Sequence, residues 1–478
     1  MAIHAPSFRR RYMPQSGRFA GGPQPSPPSV KFSPLPVDDE ILVTVVEMEM
    51  TSEVENETGE TQLVTAKSKG KQDTANSIPS SPPDSIMTHL HSQTASPSLD
   101  NHAYTGSPLR LLAHDLVNVV RLAWAMPSFI WPLRPASSLS ELAPTLANTW
   151  CIAVHIVLAL AQACFLFFLL PAACILLPMW VSAVMSASFI GANQLACRLL
   201  LNGWRGKAVL HSRAACASCL PEHAGEQWIF LNGIGTGRHW LQGSIDRLAY
   251  TFGRPVMGIH NKTAKLTFRS GLVFDILECL VQRNLNYATR DVRATYAILK
   301  ETLYRPDINK VVLVLHSQGG IVGSMALDWL LQELSHELLA KLEVYTFGNA
   351  ANHVNVHGLD STQGTHIEHY AHAADFAALW GVLHYTSTQS SPFAGRVFTR
   401  TSGRGGHQLC QHYLDGMFPL VRDQDTGTVI GCAEDSEFMN SSLDSDDSDK
   451  KTPRLQPVKV KDVSRLWQYR NGRCPAVI

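Results

Sequence analysis

The chain has 478 residues, long for one ordinary domain and enough for two or three segments. Its 40 Lys+Arg balance its 40 Asp+Glu, so charge gives no reason to expect a nucleic-acid partner. Charged residues make up only 17%, below the ~25% of an ordinary soluble domain. The 10 cysteines are too scattered to read as a secreted disulfide framework.

Residues 1–108 read as disordered. Pro- and Ser-rich stretches recur there, and apolar residues never hold a helical spacing for long. No N-terminal apolar run resembles a cleavable secretory signal, and the prolines near Arg9–Arg11 argue against a transit peptide. Residues 109–149 form a juxtamembrane segment. Between Leu142 and Cys197 there is no Asp, Glu, Lys or Arg. The apolar run 150–190, interrupted at Pro171 and Pro178, is about twice the ~20 residues that one bilayer crossing needs. It is expected to be either a helical hairpin turning between the two prolines or one span followed by a membrane-embedded helix. A buried core helix would carry more of a polar face than His155 and Gln162 provide. Basic residues flank the run on both sides, as a hairpin would give under the positive-inside rule. Residues 191–226 read as a linker. Cys216 and Cys219 form one C-x-x-C near His211 and His223, but a second such pair is absent and no metal is expected.

From 227 to 433, short apolar runs alternate with helical patterns. Strands are expected at Trp228–Leu231, Pro255–Ile259, Val311–Leu315, Leu342–Phe347, Ile367–Ala371 and Arg396–Thr399. Helices are expected at Leu272–Gln282, Thr289–Leu303 and Ile321–Leu334. That alternation implies an α/β domain with a mostly parallel sheet covered on both faces. Residues 434–461 read as an acidic, disordered linker. Residues 462–478 read as a tail, with a short docking helix within Val463–Tyr469.

The strongest chemical signal is VVLVLHSQGG, Val311–Gly320. An apolar strand runs straight into His316-Ser317-Gln318-Gly319-Gly320 and a helical pattern follows, the context a nucleophile elbow requires. The motif departs from G-x-S-x-G in having Leu315 at the first glycine position, so a bulky side chain must find room behind the turn. A serine needs a base and an orienting acid. Asp375 follows the strand at 367–371, with Asp360 in a polar loop as the alternative acid. His407 follows the strand at 396–399 and a glycine-rich loop, with His412 as the alternative base. The oxyanion donors are expected to be the backbone N–H of Gln318 and that of Gly233 or Ile234, in the loop after the first strand. His366, His369 and His372 have metal-like spacing, but on a strand His369 points away from the other two.

The stretches IFLNGIG, VVLVLHSQGG, VYTFGNAANH, HYAHAADFAALWGVL and GHQLCQHYLDGMF carry a family resemblance. Through them, Gln227–Leu420 resembles the α/β-hydrolase domain of lipase- and esterase-like proteins, including uncharacterised fungal membrane-associated members. The resemblance implies a Ser317, Asp375, His407 triad and hydrolysis of an ester or acyl bond, with no cofactor. A small-molecule or lipid ester would be the substrate and a membrane the partner. Acyl transfer by the same triad, or an inactive hydrolase fold serving as a membrane scaffold, are the alternatives. Such a fold hosts many chemistries, so the substrate stays open.

Overall fold

The computed structural model describes residues 86–90, 106–133, 137, 139–202, 209–213, 221–260, 271–356, 365–386, 391–402, 405–444 and 457–475. Eleven strands are formed: β1 (Ile86–Leu90), β2 (Val209–His211), β3 (Glu226–Leu231), β4 (Val256–Ile259), β5 (Lys310–His316), β6 (Leu342–Phe347), β7 (His366–His372), β8 (Arg396–Thr401), β9 (Leu420–Arg422), β10 (Val429–Cys432) and β11 (Leu443–Asp444). Nine of them make one sheet in the order β11-β1-β8-β7-β6-β5-β3-β4-β2. The six central strands, β4 to β8 with β3, run parallel, while β2 and β1 join antiparallel near its two edges. This is a mixed α/β fold, as the alternating pattern implied. All six strands expected from the sequence are present.

The principal helices are α1 (Pro108–Arg121), α2 (Leu146–Cys164), α3 (Leu170–Leu176), α4 (Met179–Cys197), α5 (Arg238–Phe252), α6 (Leu272–Leu285), α7 (Arg290–Tyr304) and α8 (Gln318–Glu333). The sheet is buried on both faces, which explains its continuous apolar strands. On β5, Leu313 and Leu315 belong to one core, while Val312 and Val314 belong to a second core on the other face. Strand order reverses at β3: the chain passes from β3 out to β4, then returns to place β5 on the other side. In open parallel sheets such a switch point opens a crevice at the carboxyl ends of the strands. Asn232 follows β3 and Ser317 follows β5, so both lie at that crevice.

Several segments differ from expectation. Most of 1–108 lies outside the described residues, but Ile86–Leu90 pairs with β8 and β11. Within 109–149, Asp115 of α1 is buried and bonded to Arg283 of α6 at 2.8 Å, so this stretch is built into the domain. Part of 434–461 is ordered too, as a short helix at Glu437–Asn440 and as β11. In the C-terminal segment the docking helix forms as expected, at Arg465–Gln468. Tyr469 donates to Glu343 at 2.8 Å, and Glu368 accepts from the backbone N–H of Arg465 at 2.7 Å.

The apolar run forms a helical hairpin of two arms, Leu146–Leu176 and Met179–Asn202, both long and apolar enough to cross a membrane by length and composition. The turn falls at Leu177–Pro178, while Pro171 stays inside the first arm. Proline in a helix lacks an N–H and clashes with the carbonyl one turn back. A π-helical turn at Phe165–Leu169, just before it, widens the spiral and accommodates the ring.

Candidate active site

Ser317 sits between β5 and α8 at φ 57°, ψ −123°, one of three described non-glycine residues with positive φ. This backbone is costly for an L-residue and persists only where its surroundings force it. Here the Ser317 N–H donates to Phe347 O at 3.0 Å and Ser317 O accepts from Ala350 N at 3.2 Å, so β6 and the loop after it hold the turn. The bulk of Leu315 has a specific answer. Its Cδ1 would lie 2.5 Å from a Cβ at Gly323, so α8 gives up a side chain where the strand gains one.

The acid and the imidazole meet. His407 Nδ1 donates to Asp375 Oδ1 at 2.8 Å, which leaves Nε2 as the nitrogen free to serve a hydroxyl. Asp375 is fully buried. It also accepts from Ala377 N at 2.8 Å and from the Tyr413 hydroxyl at 2.7 Å. Burial alone would raise its pKa, but the neighbouring His407 and these hydrogen bonds hold the carboxyl below the usual range. His407 is brought beside the elbow through the residue next to Ser317. His316 Nε2 donates to His407 O at 2.8 Å, and the two rings lie 4.8 Å apart. Burial, reinforced by His407, pushes His316 down to about 3, so it stays neutral. Among the described residues no hydrogen bond joins Ser317 Oγ to His407.

The loop after β3 touches the serine. A Cβ at Gly233 would lie 2.5 Å from Ser317 Cβ and 3.0 Å from its Oγ, so only glycine fits there. None of the described hydrogen bonds uses the N–H of Gly233, Ile234 or Gln318. A small cavity of about 50 Å³ lies along this loop, bounded by Asn232–Gly237, Gln318 and hairpin residues including His155 and Leu201.

The alternatives fare differently. His412 is engaged elsewhere: Nδ1 accepts from Gln408 N at 2.8 Å and Nε2 donates to Pro132 O at 3.0 Å. Asp360 lies outside the described residues, as do Cys216 and Cys219. The three β7 histidines bond separately, His366 to Glu368 at 2.9 Å, His369 to Thr346 at 2.7 Å and His372 to His412 O at 3.2 Å. One group absent from the sequence reading could hold a metal: His223, Glu226 and Cys474, whose ligand atoms lie within 4.8 Å of one another. The Arg254 guanidinium already bonds Glu226 at 2.6 Å there and reaches Cys474 at 3.5 Å, so a cation would have to displace it.

Sequence reasoning missed three contributors. Tyr413, one residue past His412 in the quoted motif, closes the second oxygen of Asp375. Ser128, in the supposed juxtamembrane stretch, accepts from His407 N at 2.9 Å through its carbonyl and from Phe376 N at 3.1 Å through its hydroxyl. Phe129 packs edge-on to His407 at 4.7 Å. Tyr413 was visible as a polar residue in a quoted motif; no local pattern marks the other two.

No protein-family model matches the chain, and no curated protein matches it. Among solved structures it is similar to a Trichoderma reesei cutinase in complex with a C11Y4 phosphonate inhibitor. The identity is 17%, over 48% of this chain and 88% of that one, with a TM-score of 0.22. A likeness of that size carries no argument, and what the chain does must be read from its own residues.

Proposed function

We propose that this chain is a membrane-tethered serine hydrolase of the α/β-hydrolase type that cleaves an ester or acyl bond. The observation that carries the reading is Ser317, held at φ 57° on a strand–helix turn beside a buried Asp375–His407 pair. His407 Nε2 takes the Ser317 proton as Oγ attacks the acyl carbon. The N–H group of Gln318 and that of Gly233 or Ile234 receive the oxyanion. The protonated imidazole then gives its proton to the leaving alcohol, and water repeats the sequence to release the acid. Asp375 fixes the imidazole tautomer and offsets its charge, with Tyr413 fixing Asp375 in turn.

Membrane attachment is supported by exposure. Phe167, Phe168, Ile175 and Trp180 are 70–81% exposed on the hairpin tip, an arrangement water does not favour. The base of the hairpin is fixed to the sheet domain. Asn148 accepts from Trp240 at 3.0 Å, and Gln162 accepts from Val273 N at 3.1 Å. Past Gln162, the farther of these anchors, the first arm continues only to Leu176 before the turn. At ~1.5 Å per residue that adds about 20 Å, short of a ~30 Å hydrocarbon core. The hairpin therefore dips into one leaflet from the side on which the sheet domain lies.

A fluorophosphonate probe tests the enzyme. Labelling of the full chain in detergent that disappears in Ser317→Ala supports it. The inactive scaffold has one observation in its favour, that Ser317 is only 3% exposed. Folded protein that resists the probe both in detergent and in lipid would establish the scaffold instead.

A further inference from the structure

A large apolar cavity lies away from the serine. It has a volume of about 640 Å³ and lies between α1, the hairpin and α6, walled by Leu112, Phe165, Ile190, Phe274 and Val281. That is the size of a ligand pocket, typically ~300–1,000 Å³. It is open at its rim, where Leu116 and Leu277 are 53% and 40% exposed. Two polar residues, Glu278 and Thr289, belong to its lining. Gln282 donates to both, at 3.3 and 2.9 Å, and accepts from the Gln318 side chain at 2.9 Å. The polar part of the lining is thus one side chain, Gln282, removed from the residue that follows Ser317.

The geometry points to a binding site for one acyl chain of a membrane lipid, entering sideways from the bilayer. The occupant is read from continuity. The wall residues Phe165 and Leu170 lie on the same helical arm as the exposed Phe167 and Phe168. The α1 wall carries exposed Val117 and Val120, with Trp124 just beyond it. Lipid tails that surround the tip therefore lie against the exposed rim, and the mostly apolar lining suits an acyl chain, with Glu278 and Thr289 as polar partners for its ester. This deepens the proposed hydrolysis and rests on it for the substrate class: a long-chain lipid ester.

The test uses full-length Ser317→Ala protein in phosphatidylcholine vesicles containing a minor fraction of phosphatidylcholine with a photoactivatable diazirine on its acyl chain. After illumination, label should map to Phe274–Val281 of α6 and to Phe165. Adding Leu277→Trp, at a half-exposed rim position, should lower that label about tenfold, the scale on which one or two methylenes of pocket space discriminate. Ile190→Trp fills the cavity from the opposite wall and serves if the first variant does not fold. Label confined to the tip around Phe167–Trp180, or unchanged by both tryptophans, overturns the acyl-chain site. The hydrolase reading is judged separately by fluorophosphonate labelling of the parent chain. Label on α6 without a reactive Ser317 would leave the lipid site standing and remove the enzyme; a reactive Ser317 without label on α6 would do the reverse.

Discussion

Two helical regions of this molecule are rich in apolar residues and sit in opposite surroundings. Helix α8 is buried along its whole first half, from Gln318 to Leu327. The hairpin leaves large side chains such as Val157, Leu160, Phe168 and Trp180 mostly exposed. Both stretches score as hydrophobic in sequence, yet one is the inner wall of a two-faced sheet and the other is a surface. The difference teaches that apolar composition reports burial somewhere, and only packing says whether protein or lipid does the burying.

Polar substitution breaks or sharpens that contrast most strongly. Ala326→Asp on α8, at a fully buried position, should cost more than about 4 kcal/mol and leave no cooperative thermal transition. Val184→Asp on the hairpin, 59% exposed, should leave the melting temperature within a few degrees and weaken sedimentation with membranes. Equal loss of folding in both would mean that the hairpin belongs to a protein core after all.

The next effect concerns how α1 is attached. Asp115→Ala strands the Arg283 guanidinium, which otherwise bonds Asp115, Ala350 O and Trp380 O in a buried niche. Removing one partner of a buried pair costs about 3–5 kcal/mol. Urea denaturation should show that loss, and Asp115→Asn should recover part of it. A change under ~0.5 kcal/mol, the size of an ordinary surface substitution, would mean α1 is a loose appendage like the hairpin tip.

Acid should act on the sheet domain and spare the hairpin. Burial holds His316 and His372 down to about 3 and His369 to about 4. Unfolded, each titrates near ~6.5. Between these values the unfolded chain binds more protons, so stability falls as pH drops through that window. The slope is up to ~1.4 kcal/mol per pH unit for each histidine. The melting temperature should decline steadily below about pH 6.5, and His369→Gln should make the decline shallower. A flat profile would show that these rings are not neutral in the fold.

Much of this architecture was legible in the sequence because it rests on local rules. Short apolar runs placed all six strands, and the strand–Ser–helix string placed the turn at Ser317. The Asp375–His407 contact followed from strand order, since both residues come after strands that end at the same edge of the sheet. What stayed hidden was long-range. Ser128 reaches His407 across a separation of 279 residues, with no periodicity to announce it (407 − 128). The docking helix of the tail was expected within Val463–Tyr469, but its partners were not, because Arg465 and Tyr469 bond two glutamates on distant strands. The hairpin turn was expected between Pro171 and Pro178 and falls at the second of them, because a widened turn beside Pro171 absorbs its ring within the helix.

The smallest expected effect is the most specific. Gly323→Ala should overpack against Leu315 and cost about 1–3 kcal/mol, and Leu315→Ala in the same chain should return a good part of it. If the two losses simply add, the pair is not coupled.

That exchange of volume has a bearing on how such proteins are recognised. A text pattern demanding glycine two places ahead of the serine at such a turn passes over this chain. A pattern that admits leucine there, provided glycine stands six places downstream (323 − 317), retrieves it. The missing atom has moved from one side of a contact to the other, and a search written in terms of the contact would follow it.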